Sequence, residues 1–158
     1  VEAFQACLRA PFATLGITAT DAHVTGIRFL APSTAARAPR PGTIAYLACV
    51  QLQSYLANPK FEFDLPLMLG GSHHQLAVWE AMQRIPAGKT RSYGELALEL
   101  GSSARAVGGA CGANPIPIVV PCHRVIAANR ALGGFMGAKR DGFELTIKRW
   151  LLEHEGAL

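Results

Sequence analysis

The spacing of apolar positions changes several times along this chain, and each change marks a predicted element. Over residues 12–30, β-branched residues cluster in two strand-like pieces, around 14–18 and 24–29, with Asp21-Ala22 as the turn between them. Residues 31–42 are crowded with Pro, Ala, Ser and Gly and read as a loop. Beyond it, Ile44, Leu47, Cys49, Val50, Leu52 and Leu56 recur at helical spacing until Asn58-Pro59 stops the helix. Residues 1–66 therefore read as a small α/β domain with an antiparallel sheet, and no catalytic grouping is visible in it.

After Gly70-Gly71 the pattern turns helical. Ser72-x-x-Gln75 is a capping box opening a helix through Ile85, with Leu76, Trp79, Met82 and Ile85 on its buried stripe. Pro86-Ala87-Gly88 ends it. Ser92-x-x-Glu95 opens a second helix that runs to Leu100 and stops at Gly101, and a third is expected from Ser103 to about Gly112. Asn114-Pro115-Ile116-Pro117 cannot be helical and leads into an apolar run, Ile118-Val119-Val120, read as extended. Residues 126–142 are Gly-rich and irregular, and a last helix carries Ile147, Trp150, Leu151 and His154 before ending near Glu155-Gly156. Residues 67–158 thus form a second, mostly helical domain.

Composition narrows the class. With 158 residues, half of them hydrophobic and 16% charged, the chain can bury a core and is not a disordered segment. Its apolar runs fall far short of a membrane span, and the first residues do not read as a signal peptide. Cys7, Cys49, Cys111 and Cys122 are widely spaced, so a reduced, cytoplasmic setting is expected, with Cys7 and Cys49 as small buried hydrophobes. Cys7, His23, His73 and His74 have no metal-ligand spacing, so no metal is expected. The net charge is only +4, but residues 101–140 contain no Asp or Glu while carrying Arg105, Arg124, Arg130, Lys139 and Arg140. Arg84, Lys89 and Arg91 lie just upstream. A phosphate-facing surface needs that sign, and so does a basic face that is merely solvated.

Two motifs carry chemistry. Ala97, Gly101, Ser103 and Val107 fit the spacing of a helix-turn-helix, which a plain helical hairpin shares. The second helix of that pair is nearly all small residues with one long basic side chain, Arg105. A reader of base edges needs several polar side chains there. This helix suits close, sequence-independent approach to a groove, with Arg105 placed to fill the gap left by an extruded nucleotide. Cys111, inside it, reads as a packing residue. The other motif is Pro121-Cys122-His123-Arg124-Val125, with a thiol, an imidazole and a guanidinium in consecutive positions. A thiol attacks as thiolate, and a nearby base or cation eases its formation.

With these motifs on the page, the chain resembles the O6-alkylguanine-DNA alkyltransferases, or methylated-DNA–protein-cysteine methyltransferases. The resemblance covers residues 75–156. It rests on Val78-Trp79, Ile85-Pro86-x-Gly88, Ser92-Tyr93-Gly94-Glu95-Leu96-Ala97, Ala104-Arg105-Ala106-Val107-Gly108, Asn114-Pro115, Pro121-Cys122-His123-Arg124-Val125, Gly133-Gly134-Phe135 and the stretch from Lys148 to Glu155. In the first domain it is looser, through Ala10-Pro11-Phe12-Ala13-Thr14-Leu15-Gly16, similar to the strand that opens that family's N-terminal domain.

The resemblance implies a ribonuclease-H-like first domain and a second domain with a helix-turn-helix. It implies irreversible, stoichiometric transfer of an alkyl group from guanine O6, with thymine O4 as a further candidate, to a cysteine after nucleotide flipping. Cys122 would be the acceptor. His123 would be its base through a water, and Glu155 would orient His123. Tyr93 would donate a hydrogen bond to the flipped base, and Asn114 would brace the turn before the cysteine segment. Arg105 would be the intercalating finger, with Ala106 and Gly108 beside the DNA. Arg124 is open between a DNA contact and a structural ion pair. Val125, Gly133, Phe135 and Met136 would line the base pocket. The implied partner is double-stranded DNA containing O6-alkylguanine, met by a monomer at the nucleoid, with no cofactor. Phe135 and Met136 stand where some relatives have Tyr and Ser, which leaves leaving-group contacts there to the backbone. Three rival readings remain: a cysteine hydrolase using Cys122 and His123, a redox thiol pairing Cys122 with Cys111, and a lesion sensor of the alkyltransferase-like type. Those sensors carry Trp in place of the thiol, so Cys122 speaks against the last.

Overall fold

The structure, a computed structural model, describes residues 3–129, 131–138 and 142–158. Arg130, Lys139 and Arg140 of the basic stretch lie outside the described residues. The chain divides into two compact units, Val1–Leu69 and Gly70–Leu158.

The first unit holds an antiparallel sheet of β1 (Ala6–Arg9), β2 (Thr14–Ala19) and β3 (Val24–Leu30), with β2 in the middle. The register sets Leu8 beside Leu15 and Ile17 beside Ile27. The sequence signals for β2 and β3 lie where those strands form. β1 carries no such signal, because four residues are too few to show alternation, and only pairing with β2 defines it. The opening strand is therefore Ala6–Arg9 rather than 10–16, and residues 10–13 are the turn, closed by Ala10 N donating to Ala13 O at 2.8 Å. Helix α1 (Ile44–Ala57) starts where the Thr43 side chain accepts from Tyr46 N and stops at Asn58. It packs on the sheet through Ala45, Ala48, Cys49, Leu52 and Tyr55. Leu47 and Val50, which recur at the same helical spacing, are on the exposed face. Two alanines let the helix approach the sheet closely, and their small apolar surface is easily outvoted in a hydrophobicity count.

The second unit runs α2 (His73–Gln83), β4 (Arg91–Ser92), α3 (Tyr93–Leu100), α4 (Ala104–Gly112), a single 3-10 turn (Cys122–Arg124), β5 (Val125–Ile126) and α5 (Phe143–His154). Both capping boxes form, with each cap side chain and its partner three residues on satisfying one another's backbone amides. Such caps contribute about 1 kcal/mol each. Gly101 ends α3 in the left-handed region at φ 63°, and the Ser103 side chain caps α4. Trp79 and Met82 of α2 are buried as expected, but Leu76 is 38% exposed. Trp79 Nε1 donates to Ala110 O at 2.8 Å, which anchors α2 to the small-residue helix α4.

The run 118–120 is not extended. Pro117 and Val120 form a bridge, Val120 N donates to Ile116 O at 2.9 Å, and Ile118 adopts φ 75°, where β-branched residues seldom go. The turn buries Ile116, Ile118 and Val120 together, and that burial opposes the local strain. Pro121 follows at φ −82°, ψ 68°, an inverse γ-turn closed by Cys122 N donating to Val120 O at 2.8 Å. Among the described residues no helix is long and apolar enough to cross a membrane.

Candidate active site

A two-residue ladder positions the site. β4 pairs with β5 in parallel, Arg91 beside Val125 and Ser92 beside Ile126. Tyr93 follows β4 directly as the first residue of α3, and the turn starting at Cys122 leads directly into β5. The ladder thus brings Tyr93 and Cys122 to one place although 29 positions separate them. Both line a cavity of about 710 Å³, together with Arg105, Gly108 and Cys111 of α4 and Phe135 and Met136 of the following loop. Cys122 Sγ lies 4.0 Å from Met136 Sδ.

Behind Cys122 sits a buried charged cluster. His123 Nε2 and Glu155 Oε2 are 2.8 Å apart. Arg124 donates from Nε and Nη2 to the two Glu155 oxygens at 2.9 and 3.0 Å, and from Nη1 to Ile85 O at 2.6 Å. Arg124 thus forms a structural ion pair, with its guanidinium bonded to Glu155 and to the Ile85 carbonyl. Burial works to raise the Glu155 carboxyl, but the hydrogen bonds and charges of His123 and Arg124 outweigh it and hold it well below the usual range. An ionised carboxylate only accepts, so Nε2 of His123 carries the hydrogen. Burial lowers the His123 pKa, and the nearby charges of Arg124 and Lys148 push the same way against the pull of Glu155. The ring is then neutral at neutral pH, with its lone pair on Nδ1, which has no hydrogen-bond partner among the described residues. Burial pushes the Cys122 thiol up to about 11, against weaker pulls from the Asn114 side chain and the Lys148 charge. The thiol is not a spontaneous thiolate at neutral pH and needs a proton acceptor.

Asn114, itself buried, braces the turn leading to the cysteine. Its Nδ2 donates to Val120 O at 2.8 Å and its Oδ1 accepts from Ile116 N at 3.0 Å. Across the cavity, the Tyr93 hydroxyl donates to Gly134 O at 3.3 Å. Burial, with the neighbouring thiols of Cys111 and Cys122, raises its pKa, so Tyr93 keeps its proton as a donor. Gly133, at φ 70°, is what allows the ring to sit there: a Cβ would lie 2.8 Å from Tyr93 Cε2. Gly137, at φ 85°, has open space instead. Gly133→Ala is therefore expected to cost about 1–3 kcal/mol of stability, and Gly137→Ala about 1–2 kcal/mol from backbone conformation alone. Urea unfolding of both variants measures the Tyr93 clash as their difference, and equal losses would show that no clash is felt.

Among the expected residues, Tyr93, Arg105, Gly108, Cys122, Phe135 and Met136 share the cavity wall. His123, Glu155 and Asn114 lie buried outside that wall. Val125 is buried and Gly133 backs the Tyr93 ring, neither reaching the wall, while Ala106 is exposed on α4 beside Arg105. Cys111, read as a packing residue, is on the wall. The residue missed is Lys148. It is fully buried, and its ammonium donates to Val125 O at 2.7 Å, to Leu132 O and to Gly134 O at 2.9 Å, with the Tyr93 oxygen at 3.4 Å. A signal was present, because Leu145, Lys148 and Leu152 fall on one stripe of α5, where a cation is out of place.

Comparison with known proteins places this architecture. Residues 73–157 match the family model described as 6-O-methylguanine DNA methyltransferase, DNA binding domain. A Mycobacterium tuberculosis protein named methylated-DNA–protein-cysteine methyltransferase is 42% identical over 151 residues, covering 92% of this chain and 87% of the relative. The crystal structure of Mycobacterium tuberculosis OGT in complex with DNA superposes with a TM-score of 0.79 at 40% identity, covering 96% of this chain and 91% of that one. An O6-methylguanine-DNA methyltransferase from Pyrococcus kodakaraensis superposes at 0.57 with 25% identity, covering 95% and 96%. The same mixed α/β fold, the thiol in its cavity and the family match over the helical unit agree, and the chain belongs to the 6-O-methylguanine DNA methyltransferase family.

Proposed function

We propose that this protein repairs DNA by moving an alkyl group from guanine O6 onto Cys122, once per molecule. The observation that carries this reading is the position of the thiol. It opens into a cavity whose wall includes Arg105, an exposed cation on a helix of small residues. In this reading α3 and α4 act as a helix-turn-helix that lays α4 along the groove, with Ala106 and Gly108 against the DNA. Arg105 fills the gap in the base stack, and the extruded nucleotide enters the cavity. Residues 67–158 form the alkyltransferase domain. For residues 1–66 the sheet with its packed helix supports a ribonuclease-H-like domain.

The chemistry follows from the site. His123 takes the Cys122 proton on Nδ1 through an intervening water, and Glu155 stabilises the imidazolium that forms. The sulfur bonds to the alkyl carbon while the bond from that carbon to O6 breaks, leaving its electron pair on the guanine. Tyr93 donates a hydrogen bond to the base as that charge builds. The product is a thioether, a poor leaving group, so the acceptor is consumed. Acceptor, base and donor all belong to one chain, and the step calls for no cofactor and no second copy.

Stoichiometry tests the reading. With excess duplex containing O6-methylguanine, the protein should remove one methyl per chain and then stop, followed by intact-protein mass and by the unmodified guanine released. Continued turnover would replace this reading with the cysteine hydrolase.

A further inference from the structure

We infer that the sulfur atoms of Cys111, Cys122 and Met136 form a binding site for one soft monovalent cation of the copper(I) class on the wall of the cavity. Binding is independent of the function proposed above. Its consequence, that an occupied site cannot accept an alkyl group, rests on that function.

Three sulfurs from three segments meet at one cavity. Cys111 comes from α4, Cys122 from the 3-10 turn and Met136 from the loop that follows β5. Alkyl transfer uses only the Cys122 sulfur. Both thiols are free and buried. Cys122 Sγ and Met136 Sδ stand 4.0 Å apart. Two sulfurs bound to one metal at about 2.3 Å, with the angle of about 120° of a trigonal site, lie about 4.0 Å from each other. The pair is therefore already spaced as two ligands of one ion. Met136 reaches this place from φ 51°, the left-handed region that a non-glycine residue seldom enters. Cys111 is close enough to Cys122 that a charge on one sulfur disfavours a charge on the other. A cation between them turns that repulsion into attraction.

The ligand set decides which ion fits. Thiolates with a thioether are soft donors, the set that selects copper(I). Zinc takes four ligands from Cys, His, Asp or Glu, and among the described residues no group of three such side chains could hold a metal ion. Tyr93 lines the same cavity, but burial and the two thiols keep its proton on, so it adds no anionic oxygen. Binding breaks the two S–H bonds and forms three copper–sulfur bonds; both protons go to solvent and no electron moves. Two thiolates around one monovalent ion leave a single negative charge. The Lys148 charge, which favours the ionised form of both thiols, offsets it. The ion stands beside Cys122 Sγ where an alkyl carbon would have to come, so the occupied protein does not transfer.

The test is an oxygen-free titration of the whole chain with copper(I) against bicinchoninate, a chelator whose copper(I) complex is coloured. Wild type should withdraw one copper per chain. An outer partner of a metal site is worth about 10–100-fold in affinity, so losing a ligand costs more. Cys111→Ala and Cys122→Ala should each bind at least about 100-fold more weakly, and Met136→Leu, which loses the neutral ligand, about tenfold. Cys49→Ala, which breaks the other close thiol pair, with Cys7, should bind as wild type does. X-ray absorption at the copper edge of the wild-type complex needs no variant and should show three sulfur neighbours at about 2.3 Å. Wild type that withdraws no copper, Cys111→Ala or Met136→Leu binding as tightly as wild type, loss of the copper in Cys49→Ala, or a shell other than three sulfurs overturns the inference. The consequence has its own readout. Copper that fills the site should stop methyl transfer from an O6-methylguanine duplex, and excess chelator should restore it. Transfer that continues with copper bound overturns the block alone. Metal-free wild type that transfers nothing overturns the proposed function and leaves the copper site standing.

Discussion

Replacing Cys122 with alanine is expected to abolish alkyl transfer while leaving DNA binding in place. The variant removes one buried sulfur from the cavity and leaves α4, Arg105 and the Glu155 cluster untouched. Mixed with O6-methylguanine duplex, wild type should gain the mass of one methyl group in place of a hydrogen, located on Cys122. The alanine variant should gain nothing yet shift the same duplex in a binding assay. Cys111 makes the experiment sharper, because it is a second thiol on the same wall. Burial, with the Cys122 thiol beside it, raises Cys111 to about 12, and no base is arranged to take its proton among the described residues. The methyl should therefore not move to Cys111 when Cys122 is gone. Methylation of the variant at any cysteine would show that the cavity, rather than the His123 relay, is what activates a thiol.

Glu155→Gln is expected to have the second largest effect, on both rate and stability. The carboxylate holds His123 and Arg124 at once. Its loss leaves Arg124, only 11% exposed at its side chain, without its counter-charge. Breaking a buried pair in this way costs about 3–5 kcal/mol. A glutamine amide can also donate to Nε2, which moves the ring hydrogen to Nδ1 and removes the lone pair that the relay needs. The rate should drop about 10²–10⁴-fold, the usual worth of a general base. pH supplies a check. The folded Glu155 pKa is depressed, so its stabilisation is present above the unfolded carboxylate value near 4.3 and is lost as pH falls toward the folded one. Urea midpoints should fall with acid in wild type over that range and fall less in the variant. Equal stability at neutral pH, with parallel acid profiles, would show that the cluster is held by packing rather than by charge.

How much was legible in the sequence depended on how local each signal is. Ser72 with Gln75 and Ser92 with Glu95 set their helix starts within one turn of chain, and both form as written. Gly101 and Ser103 bound the turn between α3 and α4 for the same reason. β1 was invisible, since its pairing partner is separated from it by a turn and its own residues have no period. Ile118 is the converse case, expected extended and found in a turn. β-branched residues favour the extended conformation, and only the Asn114 bracket and shared burial force it into the left-handed region. The two-residue ladder of β4 with β5 is likewise too short to carry a sequence pattern, yet it sets Tyr93 beside Cys122.

By itself the sequence determined the reactive pentapeptide, the acid-free basic stretch, the small-residue helix bearing Arg105, and the family these resemble. Each is a matter of which residues stand next to which along the chain. Only the tertiary structure decided the protonation of the site: a thiol held protonated by burial, a histidine left neutral with its lone pair on Nδ1, an arginine committed to Glu155, and a buried lysine beside the tyrosine. The reason is physical. Charge state depends on desolvation and on partners a few ångströms away, and those partners come from segments up to 55 positions apart that meet only when the core closes.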